Sequence, residues 1–254
     1  MRIRGRIGVG VAVLGSLLLA LSGAGPALPR GGPPMGFSHV TGLRAAAAAN
    51  ATSTTFGGWV LGVTAAASVT AEFKVPALNC TTAMSGVVAS SAMLTGSSSS
   101  PKVDAASVLL TCSGGKPLAV PAVFVNSTET DGTQAVHAGD LMKATVVTST
   151  TKTTATIADL TAAHRFKFAK SGAGAASFDE RILDSAFAQG GTLLPVVNFG
   201  KISYRKCAVG GKAIGTVTPR TAVNMQTSTG VLQILTGAIT GTAKNAFTTT
   251  WKHS

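Results

Sequence analysis

The feature that most constrains the fold of this chain is a succession of short runs rich in Val, Thr, Ile and Phe, separated by Gly, Ser and Pro. The runs recur about every ten residues, a spacing typical of strands joined by short turns. Outside the N-terminal segment, no stretch keeps the 3.6-residue apolar period of an amphipathic helix over about twelve residues. The pattern therefore predicts an all-β antiparallel domain, built as a two-sheet β-sandwich or a barrel.

Individual strands can be placed by the alternation of apolar and polar residues. The alternation is clearest over Ser68–Val75, and Pro76 ends that run because proline has no N–H to donate to a ladder. A turn is predicted at Glu129–Gly132. The predicted strands are Trp59–Val63, Ser68–Val75, Val87–Leu94, Ala105–Thr111, Ala119–Val125, Leu141–Thr148, Thr153–Leu160, Arg165–Ala169, Phe178–Asp184, Val196–Tyr204, Val223–Gln226, Val231–Leu235 and Phe247–Trp251.

The N-terminus has the pattern of a secretory signal. Three arginines precede the apolar run Ile7–Leu21, and small residues suited to cleavage follow it. The run is shorter than a transmembrane helix requires, and a Pro/Gly-rich segment follows it. The sequence therefore predicts a signal peptide at 1–27, a Pro/Gly/Ala-rich linker or pro-segment at 28–54, and one β-domain at 55–254. The mature protein is expected to be secreted, without a stable membrane anchor.

Charge indicates the kind of partner. The chain has 21 basic and 9 acidic residues, a formal charge of +12, which falls to about +9 once the three arginines of the signal are removed. Such a balance favours anionic partners such as cell-envelope polymers. Basic residues do not alternate with aromatic ones in a stripe, so nucleic acid is not an expected partner. The protein is expected to be a monomer.

Three cysteines, Cys80, Cys112 and Cys207, remain in the exported chain. An odd number allows one disulfide and one free thiol. A bridge between Cys80 and Cys112 would close a loop of about thirty residues and contribute about 3–4 kcal/mol in the chain-entropy model. Neither a Cys-x-x-Cys pair nor a His/Cys cluster is present, so neither a metal site nor a cofactor is predicted.

Three of the nine acidic residues fall within six positions, at Asp179, Glu180 and Asp184. In a strand, Glu180 and Asp184 share one face with Phe178 and Ile182, because side chains alternate between faces. Two carboxylates on a half-apolar face can divide into acid and base roles in catalysis. The alternative is a strand whose acids are merely solvated.

Several phrases resemble, in their order along the chain, the glutamic peptidase family (the eqolisins), especially its secreted bacterial members. The resemblance implies an antiparallel two-sheet β-sandwich of the concanavalin A-like jelly-roll kind, with Cys80 and Cys112 in the positions of a cysteine pair. The phrases are Phe56–Val60, Ser68–Pro76, Asn79–Thr81, Cys112–Pro117, Ala138–Asp140, Ile157–Thr161, Leu194–Gly200 and Phe247–Trp251.

The resemblance also assigns site positions. Members of the family are acid endopeptidases in which a Glu activates a water and a Gln stabilises the oxyanion. The Glu falls on Asp184, a base one methylene shorter, with Glu180 as the accompanying acid. The Gln falls on Ala105, which can neither donate nor accept a hydrogen bond. The segments that resemble the strands and turns of the family are therefore kept, while the segments that would carry its catalytic residues are lost.

The candidate substrate-binding residues are Phe124, Phe178 and Trp59. Phe124 is the only ring left in the strand that would line the cleft. The sequence thus predicts a secreted, non-catalytic peptidase homologue that binds peptide or envelope polymer. One alternative is an acid endopeptidase with Asp184 as its base. Another is a structural or adhesive surface protein, which a filled core around Glu180 and Asp184 would favour.

Overall fold

Most of the described residues lie in β-strands. The computed structural model describes residues 51–62, 68–81, 86–95, 102–149, 151–163, 165–173, 179–189 and 192–253. These residues fall in one compact unit. The predicted signal peptide, residues 28–50 of the predicted linker, and Phe178 lie outside the described residues.

The strands are numbered in chain order. They are β1 (Ala51–Ser53), β2 (Phe56–Leu61), β3 (Ser68–Lys74), β4 (Gly86–Thr95), β5 (Val103–Ser113), β6 (Lys116–Val125), β7 (Thr128–Asp131), β8 (Leu141–Thr148), β9 (Thr153–Asp159), β10 (Phe166–Gly172), β11 (Asp179–Ala186), β12 (Ala188–Gln189), β13 (Thr192–Leu193), β14 (Lys201–Val209), β15 (Lys212–Ala213), β16 (Arg220–Gln226), β17 (Leu232–Thr236) and β18 (Phe247–Trp251). Helical structure within the described part of the chain consists of a 3₁₀ turn at Ile214–Thr216.

Pairing joins most strands in one path, β10-β9-β8-β3-β14-β18-β17-β16-β2-β11-β4-β5-β6-β7. Neighbours along this path are antiparallel, whereas β1 pairs in parallel with β16. β1 belongs to the sheet although residues 51–53 precede the predicted domain start at 55. β12 and β13 form a separate small hairpin. The fold class is therefore the predicted one, all-β and antiparallel.

The path folds over itself into two layers. Strands β4, β5, β6 and β11 of the first layer contact β3, β8, β9 and β10 of the second layer. The space between them is a filled apolar core to which both layers contribute, for example Val88 and Ile182 from the first and Phe73 and Ile157 from the second. Below, the inner side of a layer is the one facing this core, and the outer side faces away.

Predicted and observed strand ends agree within a few residues for most elements, and Leu141–Thr148 and Phe247–Trp251 coincide with β8 and β18. The turn predicted at Glu129–Gly132 is wrong, because Thr128–Asp131 forms β7. The chain reverses earlier, at Asn126 and Ser127, whose φ angles are 54° and 65°. Two consecutive positive φ angles are what a two-residue hairpin turn matched to the strand twist requires.

The cysteines follow the predicted division. Cys80 and Cys112 form a disulfide with Cα atoms 5.6 Å apart. Cys207 is a free, buried thiol. Burial, with the nearby Glu72 carboxylate as a smaller cause, raises the pKa of Cys207 above its ordinary value. A protonated, buried thiol is a poor nucleophile, so Cys207 serves the core rather than chemistry.

The disulfide gives a first prediction. Replacing Cys80 and Cys112 together by alanine is expected to lower the free energy of unfolding by about 3–4 kcal/mol, because the unfolded chain regains the freedom of a 32-residue separation. Urea unfolding of the oxidised protein and the variant measures the difference. Reductant should destabilise the parent by a similar amount and leave the variant unchanged. An equal response of the two proteins to reductant would contradict the assignment.

Candidate functional site

Strand β11 carries the acidic cluster and presents two different faces. Its register with β4 places Asp184 opposite Ser90 and Arg181 opposite Met93. Ile182, two residues before Asp184, belongs to the core between the layers. Asp184 and Glu180 therefore lie on the inner side, as their predicted sharing of a face with Ile182 requires. Arg181 lies on the outer side.

Asp184 is completely buried, and three hydroxyl groups from three other strands surround its carboxylate. Ser90 of β4 and Tyr204 of β14 each donate to Oδ1 at 2.7 Å. Thr249 of β18 donates a very short hydrogen bond to Oδ2. The carboxylate thus ties the first layer to the second layer through the core.

Burial dominates the protonation of this group. Removal from water raises the pKa of Asp184 from 3.8 to about 6, against the opposing effect of the hydrogen bonds from Thr249, Ser90 and Tyr204. The Tyr204 hydroxyl is buried as well, and burial together with the Asp184 charge raises its pKa above the ordinary value. The pair is a hydrogen-bonded unit of the core in which the tyrosine stays protonated.

Ala105 lies on the other side of the first layer. Its register partners are Met93 on β4 and Phe124 on β6, and Met93 in turn is opposite Arg181 on β11. Ala105 therefore points to the outer side, away from Asp184. The two positions that the family resemblance pairs as base and oxyanion donor are not brought together in this structure.

The outer side around Ala105 is lined with small, apolar and hydroxyl side chains. The Ser91 and Ser107 hydroxyl oxygens lie 2.7 Å apart. The Arg181 guanidinium stands over the Phe56 ring at 5.1 Å from its centroid, a cation–π contact. These side chains offer packing and hydrogen bonding on this side. A carboxylate also lies on this side, at its edge, because Glu129 of β7 is opposite Phe124. Burial, with Asp131 as a smaller cause, raises the pKa of Glu129 to about 7.

The remaining predicted site residues are divided between the two sides. Phe124 is buried on the outer side beside Ala105. Trp59 is opposite Ile182, packs against the core, and donates its indole N–H to the Gly237 carbonyl at 3.2 Å. Glu180 is buried on the inner side. Phe124 and Trp59 therefore do not line one common cleft.

Sequence reasoning missed the hydroxyl partners of Asp184. Tyr204 is the only tyrosine in the chain, a signal that a buried polar role was available for it. Ser90 and Thr249 carry no comparable signal, because the chain is rich in Ser and Thr. Their roles depend on the fold, which brings Ser90 of β4 and Thr249 of β18 into contact with Asp184 of β11.

The described part of the chain holds neither a metal-ligand cluster nor a membrane-spanning helix. No group of three or more His, Cys, Asp or Glu side chains there is arranged to hold a metal ion. Likewise, no helix within the described ranges has the length and apolar character needed to cross a bilayer.

Comparison with known proteins bears on this geometry. The model of the peptidase A4 family matches residues 54–250. The fold is similar to scytalido-glutamic peptidase in complex with a transition-state analogue inhibitor, with a TM-score of 0.63, 14% identity, and coverage of 78% of this chain and 98% of that one. It is also similar to aspergilloglutamic peptidase from Aspergillus niger, with a TM-score of 0.53, 18% identity, and coverage of 66% and 99%. Among curated proteins, none matches the sequence.

Proposed function

The chain belongs to the peptidase A4 family, and from that premise we propose that it is an exported member that does not cleave peptide bonds and acts by binding peptide or envelope polymer. The burial of Asp184 carries the proposal. A general base must reach the proton of an attacking water beside the substrate. Asp184 is instead enclosed between the layers, with both carboxylate oxygens accepting hydrogen bonds from the protein.

The pKa of Asp184 argues against the alternative of an acid endopeptidase. A carboxylate acts as a base only while it is ionised. With a pKa of about 6, Asp184 is protonated over the acid range in which a glutamic-type peptidase would use it. Ala105, on the other side of the layer, supplies no amide to stabilise an oxyanion.

Export is the second part of the proposal. The basic and apolar N-terminal segment has the form of a secretory signal. A disulfide between Cys80 and Cys112 suits an oxidising compartment outside the cytoplasm. The two observations support secretion together, since one concerns the leader and the other the folded domain.

The structural or adhesive alternative also has an observation in its favour. Glu180, Ile182 and Asp184 face a filled core rather than an open cleft. This excludes these three side chains from direct contact with a ligand. A binding function must therefore use another surface, and a purely structural protein would need no such surface.

A proteolysis assay tests the proposed loss of catalysis. The mature protein, purified from the medium, is incubated with denatured protein and a mixed peptide library from pH 2 to pH 7. Asp184→Asn and a matched control, Asp131→Asn on the exposed end of β7, are assayed alongside. We expect no cleavage by any of the three at any pH. Cleavage that Asp184→Asn loses and Asp131→Asn keeps would establish a peptidase and overturn the proposal.

A further inference from the structure

The acidic residues of this protein are mostly hidden from solvent. Of the eight acidic residues whose side chains the structure describes, six are buried, and the other two, Glu129 and Asp131, lie together on β7 at one end of the sheet path. Most of the charged groups on the described surface are therefore lysine and arginine. The buried acidic residues are Glu72, Asp104, Asp140, Asp159, Glu180 and Asp184.

The cations form an ordered row on the outer side of the second layer. The register aligns Lys167 of β10, Ala158 of β9, Lys143 of β8, Glu72 of β3 and Arg205 of β14 across five adjacent strands. Neighbouring strands lie about 4.8 Å apart, so the three cations stand about 10 Å from one another along the row. We call these five residues the basic row.

Glu72 leaves the basic row with a net positive charge. It is only 4% exposed and lies beneath its partners. Its carboxylate accepts from Arg205 Nε at 3.2 Å and from Lys206 Nζ at 3.1 Å. The Arg205 and Lys206 side chains remain 51% and 67% exposed. Glu72 thus holds two cationic groups in place while their outer parts stay open to a partner.

A row of hydroxyl groups runs beside the cations. Thr156, Thr145 and Thr70 occupy adjacent positions on β9, β8 and β3, one pleat away from the basic row. The Thr70 and Thr145 hydroxyl oxygens lie 3.0 Å apart. The Thr70 hydroxyl donates to the Ala144 carbonyl at 3.0 Å, so Thr145 donates to Thr70. The oxygens of this row can still accept, which suits a ligand that carries hydroxyls between its charges. Lys74 adds a further exposed cation on the opposite flank.

We propose that the basic row and its threonine flank bind a linear anionic polysaccharide. The partner rests on the proposed function, since an exported protein meets envelope polymers. Charge complementarity selects a polyanion. The spacing of about 10 Å between Lys167, Lys143 and the Arg205–Lys206 pair selects sparse charge separated by hydroxyl-bearing units. Nucleic acid fits less well, because its phosphates recur about every 3.4 Å along a strand. The two rows also present no aromatic side chain on which bases could stack.

Binding of the full mature protein to hyaluronan, which has one carboxylate per disaccharide, tests the proposal. Lys143→Gln/Lys167→Gln removes two charges from the row, and Lys102→Gln/Lys116→Gln removes two exposed charges from the first layer. We expect the row variant to bind about tenfold more weakly, and the control variant to bind nearly as the parent does. Affinity of the parent should fall as salt rises.

Several results would overturn the proposal: equal binding by the row variant and the parent, equal binding of neutral dextran, or tighter binding of oligothymidylate or anionic lipid vesicles. The proteolysis assay on the same preparation separates the two hypotheses. Cleavage that depends on Asp184 refutes the proposed function whatever the polymer result. Absence of cleavage together with row-independent binding refutes the polysaccharide site alone.

Discussion

Asp184→Asn is expected to make the protein about 3 kcal/mol more stable than the parent at pH 7, and to leave stability nearly unchanged at pH 3.5. The folded-state pKa of about 6 lies above the ordinary value of 3.8. The folded protein therefore holds the proton more tightly than the unfolded chain does. The contribution of Asp184 is fully present below about pH 4 and is lost as the pH rises through 6, at about 1.4 kcal/mol per pH unit.

Asparagine keeps the shape of the protonated acid and cannot ionise. The Asp184→Asn variant therefore does not lose stability as the pH rises through 6. Urea unfolding at pH 3.5, 5 and 7 measures the difference between variant and parent. Glu129 titrates in the same direction, because burial and Asp131 raise its pKa from 4.5 to about 7. Glu129→Gln is the control that measures the contribution of Glu129 to the pH dependence of stability, which is smaller because solvent screens this group. A constant difference between Asp184→Asn and the parent at all three pH values would contradict the buried position of the carboxyl group.

Alanine at the same position separates hydrogen bonding from charge. Asp184→Ala leaves the hydroxyls of Ser90, Tyr204 and Thr249 without their acceptor in a buried space. We expect it to cost about 3–5 kcal/mol at pH 3.5, where Asp184→Asn costs little. The cost of the alanine should be smaller at pH 7, because the parent then bears a buried charge.

Strand positions were predictable because they depend on local pattern. Leu141–Thr148 alternates apolar and polar residues between a Gly-Asp turn and a Ser/Thr loop, and it forms β8 as predicted. The hairpin turn at Asn126–Ser127 was missed because Gly132 offered a more familiar turn signal than Asn126 and Ser127 do. Backbone angles there decide the turn, and they follow from the twist of β6 and β7.

The role of the acidic strand was not predictable in the same way. Alternation shows which residues of β11 share a face, and it correctly groups Glu180 with Asp184. It does not show which face meets the core, because both faces of β11 are buried. That choice is made by contacts with Tyr204 and Thr249, which lie 20 and 65 residues further along the chain.

The pairing of Asp184 with Ala105 fails for a related reason. Assigning positions by similar phrases leaves an uncertainty of about one residue in each strand, and a shift of one residue moves a side chain to the opposite face. The register of β11, β4 and β5 decides which residues share a face, and it places Ala105 on the same face as Arg181 and Phe124. The sequence therefore predicts the fold of the family more reliably than it predicts which face of the sheet each site residue occupies.

Gly57 and Gly58, in the segment Phe56–Val60, show why part of the family pattern is kept in the sequence. Gly58 of β2 is opposite Leu183 of β11 and Val223 of β16. Its φ of 154° is one that residues with a Cβ rarely adopt. A Cβ there would lie 2.5 Å from the Leu183 Cα and would overlap the Ile182 carbonyl oxygen. Backbone atoms cannot move aside without separating β2 from the strand that carries Asp184.

Gly58→Ala is therefore expected to cost more than about 4 kcal/mol and to yield little folded protein. Gly57→Ala is the matched control. Its Cβ would meet the Ile234 side chain, with Cγ2 at 2.8 Å, and side chains can repack at a cost of about 1–3 kcal/mol. Soluble yield and urea unfolding of both variants give the comparison. A Gly58→Ala protein as stable as Gly57→Ala would show that β2 does not approach β11 this closely, and the inner position of Asp184 would then need a different register.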